Sequence, residues 1–172
     1  PGSEVAGIIS EIGKNVKSLK VGDRIMAVTG HGAFAEEICV PEDKITPVPE
    51  SMDFITAASM SLTYGTSSYA LFQRANINEN DVVLIHGATG GVGITAIEIS
   101  KAVGAKVIAT ASTDEKLKIA KEYGADYCIN YSKNEFKDKV KEYTDGKGAN
   151  IIYDPVGGDV FNQSLRCIAW NG

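Results

Sequence analysis

Apolar residues recur in two different rhythms in this chain, and the change comes at Asp81. Before it, short apolar stretches alternate with turns. Val5–Ile12 runs into Gly13-Lys14-Asn15, Val21-Gly22-Asp23 feeds Arg24–Val28, and Gly30-His31-Gly32 precedes Phe34–Val40. Pro41, Pro47 and Pro49 close the region. Short strands separated by turns in this way predict part of a small β-barrel. Residues 54–74 then read as helix in two pieces, joined at Thr63-Tyr64-Gly65-Thr66.

From Asp81 onward strand and helix alternate. Val82–Ile85 is a buried strand, and Val92, Ala96, Ile99 and Val103 then recur at helical spacing. Lys106–Ala111 is a second strand. Ser112-Thr113-Asp114-Glu115 has capping-box spacing and opens a helix through Lys121, stopped by Gly124. Tyr127–Asn130 is a third strand, and Ser132-Lys133-Asn134-Glu135 repeats the box before Phe136, Val140 and Tyr143. Ile151–Asp154 is a fourth strand, and Val160, Phe161, Leu165 and Ile168 mark a last helix. Repeated βαβ units imply a parallel sheet with right-handed crossovers. The expected fold is therefore α/β, a truncated Rossmann-type doubly wound sheet over residues 53–172, preceded by a partial barrel over residues 1–52. Four strands are fewer than a complete dinucleotide fold has, so further strands are expected beyond Gly172.

The chemistry lies where the first of these strands meets its helix, in Asp81–Gly93, DVVLIHGATGGVG. A strand, a glycine-rich turn and a helix N-terminus direct unpaired N–H groups and a favourable dipole at an anion. Thr89, Gly90, Gly91, Val92 and Gly93 are the expected cradle of a pyrophosphate. Gly90 admits close backbone approach and Gly93 close packing of the helix, while Ala88 replaces the first fingerprint glycine. Asp154 ends the fourth strand, where open α/β sheets carry ligand loops, so Val156 and Gly157 are expected against the same ligand.

Composition narrows the field. A net charge of −5 argues against a nucleic-acid partner, which requires a basic face. No apolar run reaches the roughly 20 residues that cross a bilayer. Cys39, Cys128 and Cys167 are too scattered for a disulfide framework or a C-x-x-C metal site and read as reduced residues, Cys39 packed at a strand end. His31 and His86 stand alone and read as turn or strand-end residues rather than ligands. A cytosolic protein is the expectation; the chain begins with Pro1 and no leader is recognisable in it.

Taken in order, several motifs carry a resemblance. They are Pro1-Gly2-Ser3-Glu4-Val5-Ala6-Gly7, Val21-Gly22-Asp23-Arg24, Gly32-Ala33-Phe34-Ala35-Glu36, Ala57–Leu71, HGATGGVG at 86–93, Ile129-Asn130-Tyr131 and Asp154-Pro155-Val156-Gly157-Gly158. This set resembles the medium-chain dehydrogenase/reductase superfamily, and within it the zinc-independent quinone oxidoreductases, the group that includes zeta-crystallin. The resemblance implies a GroES-like catalytic domain, a nucleotide-binding domain, an active site in the cleft between them, and a homodimer for the intact protein. Zinc enzymes of this superfamily carry a histidine where this chain has Ser3 and a further ligand near Leu62. Serine is a poor zinc ligand and leucine none, so no metal is expected.

The second strand ends at Ala111-Ser112 without the acid that holds an NAD ribose, which permits NADPH. Ser112, Lys116 and Tyr131 match positions that bind the 2′-phosphate in the resembling enzymes. Ser112 is also an ordinary cap, Lys116 an ordinary surface lysine, and Asp114 brings a negative charge nearby. Thr66 matches a cofactor-contacting threonine. Tyr64 is a candidate proton donor, tyrosine being able to act as a general acid. The resemblance thus implies NADPH-dependent hydride transfer to a small electrophilic acceptor, a quinone or an enone. Reduction of an enoyl thioester or alkenal, or a crystallin-like binding role without turnover, are the alternatives.

Overall fold

The computed structural model describes residues Pro1–Gly172 and divides them into two compact units, Pro1–Gly65 and Thr66–Gly172. In the first unit β1 (Glu4–Ile8), β2 (Arg24–Val28) and β3 (Ile45–Pro47) form an antiparallel sheet in that order. β1 ends before Ile12 because its partner runs out: the Ile9 N–H and C=O close on Asp23 and Gly22, and no strand faces Ser10–Ile12. Phe34–Val40 is not a strand. The place beside β2 belongs instead to β3, which follows a 3-10 turn at Glu42–Lys44, and Phe34 is left 80% exposed. Cys39, in the same stretch, is exposed rather than packed. Pro47 is tolerated because β3 is an edge strand.

α1 (Phe54–Ser68) runs unbroken through Thr63-Tyr64-Gly65-Thr66, so that segment is not a joint. Asp53 starts it, its carboxylate accepting from the Thr56 N–H and hydroxyl at 2.9 and 2.8 Å. The hydroxyls of Ser59 and Thr63 bond back to carbonyls one turn earlier, which satisfies them inside a continuous helix. The irregularity comes later, as a π-helical turn over Tyr69–Arg74.

In the second unit the elements follow the expected alternation: β4 (Val82–Ile85), α2 (Gly91–Val103), β5 (Lys106–Ala111), α3 (Asp114–Glu122), β6 (Tyr127–Asn130), α4 (Phe136–Tyr143), β7 (Ile151–Tyr153) and α5 (Asp159–Ser164). All strand pairs are parallel, in the order β6-β5-β4-β7. Alternation along the strands sorts the core into two layers. Val83, Ile85, Val107 and Ala109 pack with Ala96 and Ile97 of α2 and Ala120 of α3. Leu84, Ile108 and Ile129 pack on the other face with Phe136 and Val140 of α4 and with Cys167. A parallel sheet covered on both faces is the Rossmann-type arrangement the sequence implies.

Details differ from the sequence pattern at helix ends. The buried stripe of α2 is Gly93, Thr95, Ala96, Ile97 and Ser100, with Ile99 and Val103 at its margin. α3 is capped by Thr113 rather than Ser112, its hydroxyl accepting the Lys116 N–H at 3.3 Å. Ser132 does not cap α4: its hydroxyl donates to Ser112 C=O at 3.0 Å and α4 begins only after Glu135. α5 stops at Ser164, and Ile168 lies beyond it in a parallel bridge to Ala149. No helix is long and apolar enough to cross a membrane.

Candidate functional site

β4 is the strand at which the sheet reverses: the chain proceeds from it through β5 and β6 on one side and returns to β7 on the other. A crevice at the carboxyl ends of such strands is where open α/β sheets bind ligands. Two loops border it here, Gly87–Gly90 after β4 and Pro155–Gly158 after β7. They are neighbours, since a Cβ at Gly87 would stand 3.4 Å from Val156 Cγ2.

Gly87, with φ +56°, makes the left-handed turn out of the strand. Because that turn falls at Gly87, Ala88 can carry a side chain where the fingerprint has glycine, and it is fully buried there. Gly90 N–H bonds Gly87 C=O at 2.9 Å, and the Gly90 carbonyl accepts the Ile94 N–H at 2.9 Å. Gly93 is fixed by contact: a Cβ there would meet Gly87 O at 2.3 Å and Ala88 backbone carbons at 2.8 Å. Of the predicted cradle, then, the Gly90 amide is already committed within the turn. Those of Gly91, Val92 and Gly93 belong to the first helical turn, which has no intrahelical acceptor for them. No side chain caps this end and no acid stands in its first turn, so the positive end of the helix dipole is open to an anion.

A hydroxyl cluster invisible in the sequence supports this helix from behind. Ser67, fully buried at the end of α1, donates to Val92 C=O at 2.9 Å. Its Oγ also meets Thr95 Oγ1 at 2.8 Å and Tyr153 OH at 3.1 Å. The partners come from α1, α2 and β7, and no local spacing links residues 28 and 86 positions apart.

Ser112 follows β5 and Tyr131 follows the neighbouring β6, while Lys116 lies in the first turn of α3. The Tyr131 N–H bonds Ala111 C=O at 3.2 Å, and its side chain is 44% exposed. Lys116 is exposed and in no ion pair, whereas the Asp114 carboxylate is tied to Lys133 and Asn130. Hydrogen bonding to Lys133 and Asn130 lowers the Asp114 pKa.

Asp154 lies after β7, and its Oδ1 accepts the N–H groups of both Val156 and Gly157 at 2.9 Å. The backbone amides of these two predicted contact residues are thus already used, leaving side chain and carbonyls to face a ligand. His86 is a core residue at the end of β4. Its ring nitrogens meet Thr110 Oγ1 at 2.8 Å and Ser164 Oγ at 3.0 Å. Burial lowers its pKa to about 4, against the opposing pull of Asp154. Tyr64 lies half-buried in the first unit, while Thr66 opens the second and is exposed. In the first unit the Leu62 N–H donates to Glu4 Oε1 at 2.8 Å, which occupies the carboxylate next to Ser3.

Comparison with known proteins shows what the chain is similar to. The description "alcohol dehydrogenase GroES-like domain" matches residues 1–50, and "zinc-binding dehydrogenase" matches residues 91–172. A quinone oxidoreductase-like protein 2 homolog from Nematostella vectensis is 45% identical across 100% of this chain and 47% of its own length. A 2-haloacrylate reductase from a Burkholderia species is 36% identical across 99% of this chain and 52% of its own. The crystal structure of Escherichia coli quinone oxidoreductase complexed with NADPH superposes with a TM-score of 0.91 at 36% identity, covering 99% of this chain and 53% of that one. The chain spans about half the length of the curated relatives it matches. The zinc in the second family description does not fit the residues here: beside Glu4 stand Ser3 and Leu62, and no three or more His, Cys, Asp or Glu side chains gather into a metal-binding group.

Proposed function

Because this chain belongs to the medium-chain dehydrogenase/reductase superfamily, in its quinone oxidoreductase family, we propose that the intact protein is an NADPH-dependent reductase of small electrophilic acceptors. The observation that carries this is the start of α2. Its amides are uncapped, it lacks a competing acid, and Gly93 is pressed against Gly87 so that the helix begins close behind the strand tip. A negatively charged diphosphate suits that corner.

The pyrophosphate is assigned to Thr89, Gly90, Gly91, Val92 and Gly93, and the 2′-phosphate to Ser112, Lys116 and Tyr131. The ammonium of Lys116 is unpaired, and β5 ends without the acid that would repel a phosphate. Thr66, Val156 and Gly157 are assigned to the nicotinamide half, Val156 through its exposed side chain. Bound NADPH supplies a hydride, while the protein supplies orientation and electrostatics. With serine at position 3 and leucine at 62, where the superfamily's zinc enzymes carry ligands, the site suits acceptors that are already electrophilic. Tyr64 is assigned as the proton donor, from its hydroxyl, to an acceptor that needs one. Residues 1–52 are assigned to the catalytic domain and 53–172 to the nucleotide domain, in a cytosolic homodimer.

A quinone is the favoured acceptor, from the relatives that carry the name quinone oxidoreductase. An activated C=C bond is the second reading, favoured by the 2-haloacrylate reductase among them. Steady-state oxidation of NADPH by the intact protein, with a benzoquinone, an enal and an enoyl thioester in turn, tests both. Turnover is expected with the quinone or with a C=C acceptor. Binding of NADPH without turnover on any of them would leave only a crystallin-like role.

A further inference from the structure

Asp114 is the carboxylate nearest in sequence to the end of β5, and it is held on both oxygens. Oδ2 receives the Lys133 ammonium at 2.6 Å, and Oδ1 receives the Asn130 side-chain amide at 2.6 Å. Asn130 is itself fixed: it is 7% exposed, and its Oδ1 accepts the Ser132 N–H at 3.0 Å. Ser132 Oγ in turn donates to Ser112 C=O at 3.0 Å, which fastens the loop between β6 and α4 to the end of β5. The Asp114 carboxylate is thereby turned toward that loop, although it stands between Ser112 and Lys116 in the chain.

A carboxylate near this point is what a dinucleotide unit uses to hold the ribose 2′-OH of NADH. It would also repel the phosphate that distinguishes NADPH. We propose that Lys133 is a specificity-determining residue: through its ion pair with Asp114, and with Asn130 as the second anchor, it neutralises and turns away an acid that would otherwise favour NADH. The proposal rests on the assignment of Ser112, Lys116 and Tyr131 to the 2′-phosphate. Loss of the Lys133 ammonium leaves an uncompensated charge beside that phosphate and frees Asp114 Oδ2, with Oδ1 still held by Asn130, to accept from a 2′-OH. Both Lys133 and Asp114 are exposed, at 64% and 54% of their side-chain surface, so substitution there tests charge rather than folding.

The test is calorimetric titration of the intact protein with NADPH and with NADH, for wild type, Lys133→Ala, Lys133→Ala/Asp114→Asn and Lys116→Ala. Lys133→Ala is expected to weaken NADPH binding roughly three- to tenfold, the size of a screened charge term near a surface, with NADH unchanged or tighter. Adding Asp114→Asn should bring NADPH back to within about twofold of wild type. If Lys116→Ala weakens NADPH binding and Lys133→Ala does not, the role of Lys133 is overturned while the phosphate assignment stands. A loss in Lys133→Ala that Asp114→Asn fails to restore also overturns it, since Lys133 would then act without Asp114. If neither Lys116→Ala nor Lys133→Ala alters NADPH binding, the phosphate assignment itself fails.

Discussion

Gly93 and Gly87 are locked together: a single methyl on Gly93 would stand 2.3 Å from the Gly87 carbonyl oxygen. The next nearest atoms are Ala88 backbone carbons at 2.8 Å, so no flexible side chain can yield. Overpacking of this kind costs roughly 1–3 kcal/mol, occasionally more. Gly93→Ala should lower stability by about 2 kcal/mol and, by displacing the start of α2, weaken NADPH binding at least about tenfold. Gly90→Ala meets only Gly87 O at 3.4 Å and should be much milder for stability, while its methyl, standing where the pyrophosphate approaches, still weakens NADPH binding. Denaturant unfolding and NADPH titration of the two variants check the contrast.

Ser67→Ala removes the hydroxyl that Val92 C=O, Thr95 and Tyr153 share, while Thr95 keeps the Gly91 and Val92 carbonyls as acceptors. The expected cost is about 1–3 kcal/mol, with a raised KM for NADPH. Tyr153→Phe leaves Ser67 bonded to Val92 and Thr95 and should cost about 1 kcal/mol or less. Equal losses in the two variants would place the centre of the cluster elsewhere.

His86 makes stability depend on pH. Burial lowers its pKa from 6.5 to about 4, so the unfolded chain takes up the proton before the folded one does. Stability from this source is full above pH 6.5, declines as pH falls toward 4, and declines no further below that. The whole effect is on the order of 3 kcal/mol. Urea unfolding at several pH values should show a steeper slope in that window for wild type than for His86→Gln. Identical slopes would remove His86 from the account.

Tyr64→Phe separates the two acceptor chemistries. Reduction of an enone leaves a carbon centre that needs a proton, and loss of a general acid typically costs 10²- to 10⁴-fold, so roughly a hundredfold fall is expected with an enal. Quinone reduction yields an oxyanion that water can protonate and should change by less than about threefold. A uniform fall with both acceptors would point to a structural part for Tyr64.

Much of the second unit was legible because its signals are local. The Val82–Ile85 run, the glycine turn and the spacing of Ala96 and Val103 fix β4, its turn and α2 within a few residues. The first unit was less so, since a strand requires a partner that composition cannot supply. Phe34–Val40 has strand-like residues but no ladder, whereas Ile45–Pro47, with its proline, has one. Capping boxes at Ser112 and Ser132 misled for a related reason: Thr113 offers the better-placed hydroxyl, and the Ser132 hydroxyl is drawn to Ser112 C=O instead. In the candidate site the glycine turn shows as a motif, while Ser112, Lys116 and Tyr131 are candidates through the family resemblance and their contact with a 2′-phosphate belongs to the proposal. The commitment of the Val156 and Gly157 amides to Asp154, and the tethering of Asp114, depend on side-chain directions that no spacing reveals.

Diffraction from crystals of the intact protein grown with NADPH tests the central claim most directly. The account predicts pyrophosphate density on the amides of Gly91, Val92 and Gly93, with the 2′-phosphate among Ser112, Lys116 and Tyr131. Density for the coenzyme elsewhere, with that corner holding only water, would contradict it.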